Sequence, residues 1–102
     1  MELSLKGKTA LISGGSQGIG KAIAIELSLL GATCILLARN ESMLVEAIKE
    51  LSIHDGQYHQ YHKIDFNDPA SLKQLVEKIV EANTIDILIN NSGGPSAGLI
   101  FD

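Results

Sequence analysis

The sequence is poor in cysteine, in basic charge and in long apolar runs, and each shortage excludes a class of protein. Its single cysteine, Cys34, cannot form an internal disulfide, which indicates a reducing compartment. The formal net charge of −4 argues against a nucleic-acid partner, because phosphate binding needs a basic surface. No stretch approaches the roughly 20 apolar residues of a membrane helix, and the N-terminus lacks a signal-peptide pattern. We therefore expect a cytoplasmic protein with no nucleic-acid and no membrane partner.

The remaining composition is that of an ordinary globular domain. Hydrophobic residues make up 45% of the sequence and charged residues 20%. The length of 102 residues allows one domain at most. Short β-branched apolar runs alternate with amphipathic stretches, a pattern typical of parallel βαβ units. We predict strands over residues 9–13, 34–38, 58–65 and 85–89.

Three helices fit between these strands. The first begins near Gly18, and Gly31 suits the left-handed residue that follows a helix. Asn40 is the predicted N-cap of the second helix, and Asp68-Pro69 starts the third. For the first helix, the apolar periodicity predicts an inner face made of Ile19, Ala22, Ile23, Leu27 and Leu30.

The order of these elements predicts an α/β fold, a Rossmann-type doubly wound parallel sheet of four strands in the order 3-2-1-4. Right-handed crossovers permit few other arrangements, and the polar third strand suits a sheet edge. In this order the chain reverses direction between the first and fourth strands, and ligands bind beyond the carboxyl ends of strands at such a reversal. Glycine-rich segments follow both of these strands, at 14–20 and 93–94.

The segment from Ser13 to Gly20 reads Ser-Gly-Gly-Ser-Gln-Gly-Ile-Gly and joins the first strand to the first helix. Glycines allow a tight turn and close approach of a phosphate to the backbone, while a helix N-terminus offers N–H groups and partial positive charge. A flexible turn that binds nothing has the same composition. The position between an apolar strand and an amphipathic helix favours a dinucleotide phosphate loop.

Ala38-Arg39-Asn40 ends the second strand, 24 residues after Gly14, where dinucleotide folds contact the adenosine ribose. An acid here would bind the free 2′-hydroxyl of NAD, and an arginine the 2′-phosphate of NADP. Arg39 therefore favours NADP over NAD, although Glu41 lies close by and Gln17 is neutral where a second basic residue would help.

Taken together, these segments resemble the short-chain dehydrogenase/reductase family. Residues 13–20 are similar to its Thr-Gly-x-x-x-Gly-x-Gly loop, with serine for threonine, and residues 90–93 to its Asn-Asn-Ala-Gly motif, with serine for alanine. Asp65 matches the acid that meets the adenine ring. The resemblance spans nearly the whole chain, and the stretch from Asn90 to Pro95 is similar to the 3-oxoacyl-carrier-protein reductase-like branch.

The resemblance implies a partial dinucleotide-binding domain over residues 1–102, with a role for each matched position. Gly14, Ser16, Gln17 and Ile19 would line the pyrophosphate, and Arg39 the ribose phosphate. Asp65 and Phe66 would flank the adenine, and Asn91 would lie along the adjoining ribose. The full predicted cofactor-binding set is Gly14, Ser16, Gln17, Gly18, Ile19, Gly20, Arg39, Asn40, Asp65, Phe66, Asn91, Ser92 and Gly93.

The family's catalytic Tyr-x-x-x-Lys pair has no counterpart in this sequence. Four residues after Tyr58 and Tyr61 stand His62 and Asp65, so we predict no catalytic residue and an inactive chain. The apolar final residues favour a fragment of a longer carbonyl or alcohol oxidoreductase, to which the small-molecule substrate would belong. The alternatives are a non-catalytic nucleotide-binding or regulatory module, and a similar domain that binds nothing.

Three further expectations concern metal, thiol and self-association. His59 and His62, three apart in a strand, would point to opposite faces and could not share a metal, so no metal site is predicted. We expect Cys34 to be a small buried hydrophobic residue rather than a reactive thiol. The apolar fourth strand would form an unpaired sheet edge, through which the chain is expected to self-associate.

Overall fold

The computed structural model of the chain describes residues 3–91, in which four strands alternate with three helices. The strands are β1 (Thr9–Ser13), β2 (Thr33–Ala38), β3 (Gln60–Lys63) and β4 (Ile87–Asn90). The helices are α1 (Gly18–Leu29), α2 (Glu41–Glu50) and α3 (Pro69–Ala82). All strand pairs are parallel, in the order β3-β2-β1-β4, which confirms the predicted α/β sheet. None of these helices is long and apolar enough to cross a bilayer.

The sheet has one apolar cluster on each face. Side chains alternate along β2, so Cys34 and Leu36 face α1 and α2, whereas Ile35 and Leu37 face α3. Every residue of β2 from Cys34 to Ala38 is buried, as expected for a central parallel strand covered on both faces. The two clusters together hold the carboxyl ends of β1 and β2 in a fixed position.

The predicted inner face of α1 is wrong in part. Ile19 and Ala22 are exposed, whereas the buried residues are Gly20, Ala24 and Ser28. Residues four apart share a helix face, and this row of small side chains lets α1 approach the sheet closely. The larger Ile25 and Leu27 pack at the sides of the first cluster.

All three helices begin where they were predicted to begin, and a side chain caps two of them. Asn40 Oδ1 accepts the Met43 N–H at 3.1 Å at the start of α2. Asp68 accepts the Ser71 hydroxyl at 2.8 Å and the Ser71 N–H at 3.3 Å at the start of α3. These bonds, the hydroxyl first, hold the pKa of the Asp68 carboxyl below its ordinary value.

Strands β3 and β4 are shorter than predicted because side chains replace part of each ladder. The Cys34 N–H donates to His59 Nδ1 at 3.0 Å, so a ring nitrogen takes the place of a strand carbonyl before β3. The Thr9 N–H likewise donates to Asp86 Oδ2 at 2.9 Å before β4. Both edge strands therefore begin two residues later than predicted, β3 at residue 60 and β4 at residue 87.

Candidate functional site at the carboxyl ends of the strands

A cleft of about 820 Å³ opens where β1, β2 and β3 end. Its volume lies within the range of small-molecule and cofactor sites. The residues that line it come from the turn after β1, the start of α1, the β2–α2 connection and the ends of β3 and β4. They are Gly14, Ser16, Gln17, Gly18, Ile19, Ala38, Arg39, Asn40, Glu41, Met43, Lys63, Phe66 and Asn91.

The structure brings nine of the predicted cofactor-binding residues together on this cleft, although their roles stay predictions. The nine are Gly14, Ser16, Gln17, Gly18, Ile19, Arg39, Asn40, Phe66 and Asn91. Gly20 and Asp65 do not line it. Gly20 is buried under the loop, and Asp65 is exposed, with Oδ1 accepting the Asn67 N–H at 2.8 Å. Ser92 and Gly93 lie outside the described residues.

The glycine loop is shaped by two left-handed residues and one close approach. Gly14 has φ of 77° and Gly18 has φ of 59°, conformations that glycine adopts without strain. The Gly14 N–H donates to the Leu37 carbonyl at 2.7 Å, which anchors the turn to the end of β2. A Cβ at Gly20 would overlap the Gly14 carbonyl, whereas a Cβ at Gly18 would meet nothing within 4 Å.

The start of α1 lacks the side-chain cap that α2 and α3 both have. Its N-cap residue, Gln17, makes no side-chain capping bond, and the first turn holds no acidic residue. The first N–H groups of a helix have no intrahelical partner, and the helix dipole adds partial positive charge there. Ile19 in this turn is 69% exposed and forms part of the cleft wall. The helix start can therefore receive an anion beside an apolar surface.

Two cations and one carboxylate lie on the adenosine side of the predicted site. Arg39 and Lys63 both line the cleft, and neither forms an ion pair with a carboxylate of residues 3–91. Glu41, in the first turn of α2, supplies the opposing charge. Sequence reasoning missed Lys63, because its position depends on the parallel pairing of Lys63 with Ala38.

The other candidate reactive groups lie away from this cleft. Cys34 is fully buried, and burial raises the pKa of its thiol to about 11, so it is protonated and inert at neutral pH. His62 Nε2 is buried without a partner among residues 3–91, and burial lowers the pKa of the ring. Within the same residues, no group of His, Cys, Asp or Glu is arranged to hold a metal ion. Tyr58 is exposed, and Tyr61 packs against the first apolar cluster.

A protein-family model described as short chain dehydrogenase matches residues 8–101. Among curated proteins, the human dehydrogenase/reductase SDR family member 12 is 32% identical over 94 residues. That alignment covers 91% of this chain and 30% of the human protein. This chain thus spans about a third of the length of the curated relative it matches.

Solved structures give the same fold at similar identity. An L-sorbose reductase from Gluconobacter frateurii, complexed with NADPH and L-sorbose, is 35% identical with a TM-score of 0.79. The match covers 92% of this chain and 36% of the reductase. A metagenomic short-chain oxidoreductase in complex with NADP is 32% identical with a TM-score of 0.78, over 88% of this chain and 41% of that one.

Proposed function

Because this chain belongs to the short-chain dehydrogenase family, we propose that residues 1–102 form the cofactor-binding part of an NADP-dependent oxidoreductase. The dinucleotide would lie in the cleft at the carboxyl ends of the strands, as in a partial Rossmann domain. The reaction of the whole protein would be hydride transfer between the nicotinamide and a carbonyl or alcohol substrate. When bound, NADPH supplies the hydride in that reaction.

The shape of the glycine loop supports binding of the pyrophosphate there. The space beside Gly18 is open, so a phosphate oxygen can approach the backbone where a side chain would otherwise stand. The uncapped start of α1 offers N–H donors, and its first turn contains no carboxylate to repel the phosphates. That this helix start and Arg39 line one cleft is the observation that carries the proposal.

The adenosine half would lie between β2 and β3. Arg39 would bind the 2′-phosphate, since its planar guanidinium can donate two hydrogen bonds to one phosphate. The half-buried Phe66 ring lines the same cleft and offers an apolar surface to the adenine, with Asp65 beside it in the chain. Asn91 would lie along the adjoining ribose. The two structural relatives named with NADPH or NADP in their complexes support NADP rather than NAD.

Catalysis would need residues beyond those in this sequence. No lysine stands four residues after Tyr58 or Tyr61, so the family's proton-donating pair is absent from the 102 residues. Loss of a positioned acid lowers a rate by roughly 10²- to 10⁴-fold. We therefore assign activity and the carbonyl or alcohol substrate to a longer protein, with residues 1–102 acting as its nucleotide-binding domain.

The Gly18→Asp variant tests cofactor binding, although any side chain adds backbone strain at this positive φ. Aspartate tolerates the left-handed conformation better than most residues, and a carboxylate in the first turn favours the helix. The same carboxylate would occupy the open space beside Gly18 and repel the pyrophosphate. In a fluorescence titration of the protein as the cell makes it, we expect saturable NADPH binding that Gly18→Asp abolishes.

Gly7→Asp is the matched control for this experiment. Gly7 also has a positive φ, 81°, and open space around its Cβ position, but it precedes β1 at the opposite end of the strand. The Gly7→Asp variant should bind NADPH as the unsubstituted protein does. If the unsubstituted protein shows no saturable binding, or if both variants lose binding equally, the proposed site is wrong.

The same cleft would also serve one other function, that of a non-catalytic nucleotide-binding or regulatory module. Both functions predict NADPH binding, so binding alone does not separate them. The two functions are separated by measuring the oxidation of NADPH in the presence of a panel of small ketones and aldehydes. Turnover by the protein as the cell makes it supports the oxidoreductase, and tight binding without turnover supports the module.

A further inference from the structure

Lys63 is brought to the proposed cofactor cleft by strand pairing rather than by a sequence motif. It ends β3 and pairs in register with Ala38, and the Ile64 N–H donates to the Ala38 carbonyl at 2.8 Å. Paired residues on neighbouring parallel strands lie about 4.8 Å apart and point to the same face of the sheet. Lys63 therefore emerges beside the end of β2, next to the residue that precedes Arg39.

The charge of Lys63 is not used within the described part of the chain. Lys21 pairs with Glu50 and Lys49 with Glu46, but the exposed Lys63 forms no ion pair or side-chain hydrogen bond with residues 3–91. The carboxylate that lines the same cleft, Glu41, makes no ion pair with it. An uncompensated ammonium at the wall of a cleft is available to an anionic ligand.

The glycine loop itself supplies no cation. Gln17, which lines the cleft at the N-cap of α1, is neutral, so the first phosphates would be held by uncharged donors. A third phosphate at the adenosine end would add further negative charge to a cleft that Glu41 also lines. Arg39 alone would compensate one carboxylate and leave that phosphate without a net positive field.

We propose that Lys63 is a second specificity-determining residue, which binds the 2′-phosphate of the cofactor together with Arg39. The proposal rests on the proposed function, because it needs a dinucleotide in this cleft. Arg39 would hold the phosphate through its planar fork, and Lys63 would add a mobile point charge from the neighbouring strand. With both cations present, the cleft carries net positive charge despite Glu41 and prefers NADPH to NADH.

The test compares ligands with and without the 2′-phosphate. Dissociation constants for NADPH, NADH, adenosine 2′,5′-bisphosphate and 5′-AMP are measured by calorimetry on the protein as the cell makes it. The variants are Lys63→Met, Lys63→Arg and Lys73→Met, the last removing another exposed lysine, from α3. NADH and 5′-AMP affinities serve as internal controls for the fold of each variant.

We expect Lys63→Met to weaken NADPH and the bisphosphate roughly tenfold, as for loss of one charge-assisted hydrogen bond. NADH and 5′-AMP should change less than about twofold, since they lack the phosphate that the ammonium contacts. Lys63→Arg should restore NADPH binding, and Lys73→Met should bind all four ligands normally. The loss should shrink as salt is added, because exposed charges are screened.

Different failures point to different conclusions. Equal weakening of NADPH and NADH by Lys63→Met, or no change in either, overturns the role of Lys63. If Lys63 has no such role but the unsubstituted protein binds NADPH, and Arg39→Met loses the preference for NADPH over NADH, the proposed function stands without Lys63. Binding of neither dinucleotide by the unsubstituted protein contradicts the proposed function itself.

Discussion

At the scale of single residues, Gly20 shows how closely the loop and the first helix approach each other. An added Cβ there would overlap the Gly14 carbonyl and would lie 3.1 Å from Asn91 Nδ2. The first obstacle is backbone, which cannot rotate away as a flexible side chain can. Gly20 thus supports the cleft from beneath, although it does not line it.

Gly20→Ala gives a prediction in which two effects have opposite signs. Helix propensity alone favours alanine over glycine by about 1 kcal/mol. Overlap with a fixed carbonyl costs about 1–3 kcal/mol or more, as in overpacked cores, so we expect a lower free energy of unfolding. Urea denaturation of the variant measures this difference. A variant as stable as the unsubstituted protein, or more so, would show that the Gly14 turn can move aside.

His59 shows a second effect of a single side chain on its surroundings. A backbone N–H can only donate, so the bond from Cys34 N–H fixes His59 Nδ1 as an acceptor. The ring proton must then reside on Nε2, which donates to the Ser52 carbonyl at 2.8 Å. This neutral tautomer joins β2 to the segment after α2 and fixes where β3 begins.

At the scale of secondary-structure elements, the packing of α1 depends on small residues rather than large ones. Ala24 is fully buried, and its carbonyl accepts the Cys34 thiol at 3.6 Å, so helix and strand lie in direct contact. Ala22, two residues earlier, is exposed. The helix face that contacts the sheet is therefore the one with the least side-chain volume.

Ala24→Leu and Ala22→Leu place the same added volume on opposite faces of α1. The buried position should lose about 1–3 kcal/mol of unfolding free energy, because the larger side chain separates helix and sheet. The exposed position should change by less than about 0.5 kcal/mol. Thermal unfolding of the two variants compares them directly. Equal losses, or a larger loss at Ala22, would restore the face that the apolar periodicity predicts.

Features that depend on neighbouring residues in the chain were predicted from the sequence, and features that depend on distant segments were not. The buried run of β2, the Asn40 cap and the Asp68-Pro69 start depend on neighbours in the chain, and all were predicted. Lys63 and the true start of β3 depend on pairing between distant segments, which no local pattern encodes.

Ile19 shows why a local pattern can support two incompatible predictions. Its apolar character fits the inner face of α1, and its place in the glycine loop fits a cofactor wall. The structure leaves it 69% exposed on the cleft, which excludes the first prediction, and its role in cofactor binding stays a prediction. Only the orientation of α1 on the sheet decides between the two.

At the scale of the whole molecule, the two edges of the sheet differ in polarity. At one edge, β3 is a short strand of the polar sequence Gln-Tyr-His-Lys, a composition that discourages pairing with other chains. At the other edge, β4 pairs with β1 and with no second strand of residues 3–91. Its sequence from Ile87 to Ile89 is apolar, and Leu88 is 40% exposed.

The exposed edge of β4 leads to our prediction for the 102-residue chain on its own. An apolar strand edge is a template for pairing with another copy, so we expect association that increases with concentration. Leu88→Lys should reduce it, because a charge on the edge is costly to bury. Leu29→Lys is the control, since Leu29 is 54% exposed but lies on α1. Sedimentation velocity over a wide range of concentration distinguishes the outcomes. A chain that is monomeric at every concentration would contradict the prediction. Association that is reduced by Leu29→Lys and not by Leu88→Lys would show that the contact lies away from the β4 edge.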